Sequence, residues 1–238
     1  MTIAFFEDHV HIFGGSYLIL DQEGRLVLCQ HGDRRLARMN ASLTTPDTSF
    51  VTIVDQYENK RFNSPNDVVQ SSSGDYYFTD PPYGLAGQDE DSLKEQAHNG
   101  VYKLSTDGTL TLLTDELTRP NGITLSPDEK TLYVANSDPD MALWMAYDLT
   151  EEGIENGRVL LDVTDMIGEL RKGLPDGLKV NDDGVLFATG PGGVLVITPE
   201  GKHIGTIMTE FKTANCAFNS DKTALYMTTD DYLTRLKF

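Results

Sequence analysis

The chain has 238 residues, 39% hydrophobic and 24% charged, the balance of a folded globular unit rather than of a disordered segment. Its 37 acidic against 19 basic residues give a formal charge of −18, which repels phosphate backbones and argues against a nucleic-acid partner. Cys29 and Cys216 make no disulfide framework, and no apolar run approaches the roughly 20 residues that span a bilayer. A soluble, cytoplasmic protein without a membrane partner is therefore expected.

The N-terminal Met-Thr-Ile-Ala-Phe-Phe-Glu-Asp lacks the basic start and apolar run of a signal peptide. After it comes the first of five similar segments, Ser16 to Asp33. The others run from Asn66 to Tyr83, Asn121 to Asp138, Asp176 to Gly193 and Asn215 to Asp230. Each opens on a small polar residue, continues as a short apolar strand, and turns on Asp, Gly, Ser or Asn. A second apolar strand then closes on small and polar residues. The organising stretch is Arg61 to Gly84, where Val68-Val69 and Tyr76-Tyr77-Phe78 flank a Ser-Ser-Ser-Gly-Asp turn.

Further strand pairs lie between the segments, such as 100–104 with 109–113 and 193–197 with 203–207. Helical periodicity is weak except over about 162–170, which predicts one short helix. The segments recur at steps of roughly 40 to 55 residues, the period of a four-stranded propeller blade. A β-sandwich needs no such repeat. The expected fold is all-β, a single propeller domain over 1–238. An N-terminal strand at about 1–13 is expected to clasp the last blade and remove two sheet edges.

In a propeller the innermost strand of each blade runs beside the central channel, so the opening residues of the repeats converge there. Those positions hold Ser16, Asn66, Asn121, Asp176 and Asn215. Prolines 65, 120 and 175 precede Asn66, Asn121 and Asp176, which makes three chance turns a weaker explanation than a shared role. Amide oxygens with one carboxylate are hard donors that suit Ca²⁺ or Mg²⁺. No His or Cys pair stands at zinc spacing. A serine triad is disfavoured because no Gly-x-Ser-x-Gly occurs.

Ser-Pro-Asn-Asp-Val with Tyr-Phe-Thr-Asp-Pro-Pro-Tyr-Gly, Arg-Pro-Asn-Gly-Ile and Pro-Asp-Gly-Leu-Lys-Val resemble the gluconolactonase/regucalcin-like family. Cys-Gln-His-Gly-Asp-Arg-Arg and Gly-Pro-Gly-Gly-Val resemble its bacterial gluconolactonase branch. The resemblance implies a six-bladed propeller, of which five repeats are recognisable here, with one catalytic divalent cation in the channel. That cation is usually Ca²⁺, with Mg²⁺, Mn²⁺ or Zn²⁺ as alternatives.

It further implies a small-molecule lactone substrate, metal ligation by Asn66, Asn121 and Asp176, and Asp176 as general base or nucleophile. Asp67 and Asp80 are then expected at the channel mouth, binding substrate hydroxyls, with His31 and Tyr83 as further substrate contacts. The family's Glu-Gly-Pro ligand motif is absent, and Glu7 stands in a different context. Two other functions stay open: a non-catalytic binding propeller, and an organophosphate or aryl esterase on the same site. The expected assembly is a monomer or dimer.

Overall fold

The computed structural model describes residues 17–238. The first sheet contains β1 (Leu18–Leu20), β2 (Leu26–Gln30), β3 (Arg35–Met39) and β4 (Phe50–Val54). A small hairpin, β5 (Gln56–Tyr57) with β6 (Lys60–Arg61), leads to the second sheet. That sheet is β7 (Val68–Gln70), β8 (Tyr76–Asp80), β9 (Gly100–Leu104) and β10 (Leu110–Thr114). The third is β11 (Pro120–Leu125), β12 (Thr131–Asp138), β13 (Met141–Leu149) and β14 (Ile154–Asp162). The fourth is β15 (Leu178–Val180), β16 (Leu186–Gly190), β17 (Gly193–Ile197) and β18 (His203–Met208). The fifth has three strands, β19 (Thr213–Phe218), β20 (Ala224–Thr229) and β21 (Tyr232–Lys237).

Every sheet is an antiparallel meander, and the five sheets are the blades of a propeller. The first strands of successive blades pack on one another, β1 on β7, β7 on β11, β11 on β15 and β15 on β19, and so surround the hub. Tight turns set each register. Ser71 accepts from Gly74 N and gives its own N–H to Asp75, and Asn181 and Gly184 repeat this in the fourth blade. Gly74 and Gly184 have φ of +93° and +80°, a backbone state that a side chain resists.

Alternation along the strands puts apolar residues between blades. Phe62, Phe78 and Tyr102 pack between the first and second, with ring centroids 5.2 to 5.3 Å apart. Trp144, wholly buried, sits with Leu178, Leu186 and Leu195 between the third and fourth. Phe187, Cys216 and Leu225 join the fourth to the fifth.

Five blades are present among the described residues, one for each of the five repeats read from the sequence. The structure departs from the sequence reading in two places. The helix expected over 162–170 is a single 3₁₀ turn, Thr164–Met166, because Asp162 and Thr164 pair locally and Gly168 bridges Arg171. The β5–β6 hairpin was not anticipated, since Glu58 and Asn59 take φ of +51° and +63° without a glycine to announce the turn. Ser16, Glu7 and the expected N-terminal clasp lie outside the described residues.

Candidate functional site

The site is built from the points where the innermost strands begin. Asn66 precedes β7, its N–H donating to Thr79 O at 2.8 Å. Thr79 Oγ1 in turn donates to Asn121 O at 2.7 Å, tying the second blade to the third. Asp176 precedes β15 and is fixed in the same way, by its N–H to Thr189 O at 3.1 Å. The Thr in Tyr-Phe-Thr-Asp and the Thr in Phe-Ala-Thr-Gly are thus equivalent latches on the hub residues of their blades. Gly122 allows the close approach: a Cβ there would overlap the Asp176 carbonyl oxygen.

Asn66 and Asn121 are 3% and 5% exposed, and the side-chain oxygen of each meets no hydrogen-bond donor. Leaving a buried acceptor unpaired costs about 1–3 kcal/mol, so two together at one hub are notable. The Asn121 side chain lies beside the Asp176 carboxylate. Burial, with Asp67 adding its negative charge, raises Asp176 to about 7 despite the hydrogen bond it takes from Tyr17. Tyr83 is half-buried, and its hydroxyl faces Asn121 and Ser137 without good hydrogen-bond geometry to either. His31, 3% exposed, places Nε2 3.4 Å from Asn66 Nδ2. Asn121, Asp176 and Tyr83 are therefore brought together, and His31 is brought to Asn66.

Asp67 and Asp80, expected at the channel mouth, are instead fully enclosed and bound to backbone. Asp80 Oδ2 and Oδ1 accept from Asn63 N and Ser64 N, both at 2.7 Å, and burial raises its carboxyl to about 7. Asp67 accepts from Val68 N at 2.8 Å and from Ile123 N at 3.0 Å, and its carboxyl too is raised, chiefly by burial. Both carboxylates staple the hub loops instead of reaching for a ligand. Asn215 likewise turns its Oδ1 to its own neighbour, Cys216 N, at 2.8 Å. Arg34 is 6% exposed and braces the same region by donating to Phe62 O at 2.5 Å, with Glu95 3.5 Å from its guanidinium.

Sequence reasoning missed Tyr17. Its phenol donates to Asp176 Oδ1. The signal available was its place in the repeat, one residue after the polar opening residue.

Among the described residues, no three of His, Cys, Asp and Glu stand close enough to hold a metal. A cation at this hub would therefore rest on two amide oxygens and one carboxylate. The orphaned Asn66 and Asn121 oxygens fit that role.

The family model described as SMP-30/Gluconolactonase/LRE-like region matches residues 13–231. The chain belongs to this family. It is 38% identical over 228 residues to a gluconolactonase from Zymomonas mobilis subsp. mobilis, covering 94% of this chain and 63% of that relative's length. The structure of a gluconolactonase from Xanthomonas campestris superposes with a TM-score of 0.81 at 33% identity, over 92% of this chain and 70% of that one. A calcium-binding regucalcin from Agrobacterium tumefaciens shares the fold at a TM-score of 0.67 and 21% identity, over 89% of this chain and 66% of its own.

Proposed function

We propose that the chain is a divalent-cation-dependent hydrolase that opens a small sugar lactone. The observation that carries this reading is the pair of buried, unpaired amide oxygens of Asn66 and Asn121 at the hub, Asn121 lying beside the Asp176 carboxylate. Neutral oxygens with a single acid suit Ca²⁺, with Mg²⁺ or Mn²⁺ next; among the described residues Zn²⁺ would find no nitrogen or sulfur partner set. Bound there, the cation would polarise the lactone carbonyl and stabilise the charge that attack by water places on its oxygen.

The remaining work falls to the side chains. Asp176, the carboxylate beside Asn121, would take the proton from the attacking water. His31 beside Asn66 and Tyr83 beside Asn121 offer a ring nitrogen and a hydroxyl to the sugar's own hydroxyls. Relatives named gluconolactonase support the substrate class. The charge of −18 favours a small neutral substrate over a polyanion.

Proton release from glucono-1,5-lactone with added Ca²⁺ tests this. Asp176→Ala is expected to lower the rate by about 10²–10⁴-fold, the usual contribution of a positioned base. Equal rates in variant and wild type would remove Asp176 from the chemistry. No rate above buffer in the wild type would leave a binding propeller. Faster turnover of aryl esters or phosphotriesters would move the site to the esterase class.

A further inference from the structure

Tyr17 opens the described chain and is only 7% exposed. Its backbone is fixed on two sides, by its N–H to Asn66 O at 3.2 Å and by Cys29 N donating to its carbonyl at 3.1 Å. From there the ring crosses the hub. The hydroxyl donates to Asp176 Oδ1 of the fourth blade and lies 3.0 Å from Ala214 O of the fifth. One side chain of the first blade thus reaches both blades at the other end of the chain.

The repeat shows why this is unusual. Tyr17 occupies the slot held by Asp67, Gly122, Gly177 and Cys216 in the later segments. At two of those slots there is no room for even a methyl group: a Cβ on Gly122 would overlap Asp176 O, and one on Gly177 would overlap Asn215 Oδ1. Where the first blade faces the last two, the same slot accommodates a whole phenol. Its ring is buried there, and its hydroxyl ends on one carboxylate oxygen.

Because an Asp side chain turns about two torsions, a donor on Oδ1 fixes where Oδ2 points. We propose that Tyr17 is a positioning residue, which holds the Asp176 carboxylate in one orientation with its second oxygen directed at the hub. The effect on turnover rests on the lactonase reading; the orientation of Asp176 does not.

Tyr17→Phe keeps the ring and deletes the hydroxyl, so fold and positioning separate. The first measurement is made on metal-free protein. Three-bond couplings from the Asp176 side-chain carboxyl carbon to its backbone nitrogen and carbonyl carbon report whether χ1 is fixed or averaged. Wild type is expected to give the values of one rotamer and the Phe variant averaged ones, with the melting temperature nearly unchanged. Identical couplings in the two proteins would overturn the proposal.

The second measurement is lactone hydrolysis. The Phe variant is expected to lose about tenfold in kcat with KM within twofold, in keeping with the cost of a misplaced catalytic group. Averaged couplings with an unchanged kcat would also overturn the positioning role. If wild type opens no lactone, the coupling measurement alone decides whether Tyr17 holds Asp176, and the failure belongs to the lactonase reading. If Tyr17→Phe does not fold, Tyr17→Met, which fills the slot with no hydrogen-bond donor, takes its place with the same two expectations.

Discussion

Asn121 concentrates the tension between stability and binding in this hub. It is a neutral residue in a place where a full charge would bind a cation better, yet its oxygen is already buried and unpaired. Asn121→Asp would set a second carboxylate against Asp176, which itself is raised to about 7 mainly by burial. In chelator the variant is expected to lose about 2 kcal/mol, or roughly 4–8 °C of melting temperature for a domain of this size. Ca²⁺ should then raise its melting temperature by more than it raises that of wild type, because ligand charge strengthens Ca²⁺ binding and binding adds to stability. A variant as stable as wild type in chelator, or a smaller Ca²⁺ increment, would contradict the hub assignment.

The element that most needs support is the loop from Asn63 to Asn66. Among the described residues, Asn63 and Ser64 have no backbone partner for their N–H groups, so both donate to the Asp80 carboxylate. Ser64 Oγ adds a bond to Pro81 O at 2.6 Å and accepts from Gly84 N at 2.7 Å. Asp80→Ala would strand two buried N–H groups at about 1–3 kcal/mol each. A fall in melting temperature of about 5–15 °C is expected, and a change below about 2 °C would show that the loop does not depend on Asp80.

Much of this was legible in the sequence. Pro-Asn, Pro-Asp and the Gly-containing turns marked the starts and bends of the inner strands, because those backbone angles demand those residues. What the sequence did not show was direction. Asp67, Asp80 and Asn215 carry the same groups as the proposed hub ligands. Only the packing of one blade on the next decides that Asp67 meets Ile123 N instead of solvent or substrate. Tyr17 was illegible for the same reason, since its partner lies 159 residues away.

Among the described residues, three enclosed acids push stability down as pH rises, while His98, lowered by burial, acts oppositely below its ordinary value of 6.5. Asp67, Asp80 and Asp176 are all raised, chiefly by burial, the last two to about 7. Between the ordinary value of 3.8 and about 7 the folded chain binds more protons than the unfolded chain. Stability therefore falls as pH rises through that window. Turn aspartates such as Asp107 and Asp128 are lowered by hydrogen bonds, so their opposite slope is confined below 3.8. Metal-free protein should melt at a higher temperature at pH 5 than at pH 8, and a rise across that range would contradict the burial of these acids.

Tyr17 and the staples of Asp67 bind the blades into one hub, and the proposed hydrolase requires this hub to hold a hard cation. Calorimetric titration of the metal-free protein with Ca²⁺ tests this. One ion per chain is expected, with the heat abolished in Asp176→Ala. No heat up to millimolar Ca²⁺, or an undiminished isotherm in that variant, would contradict it.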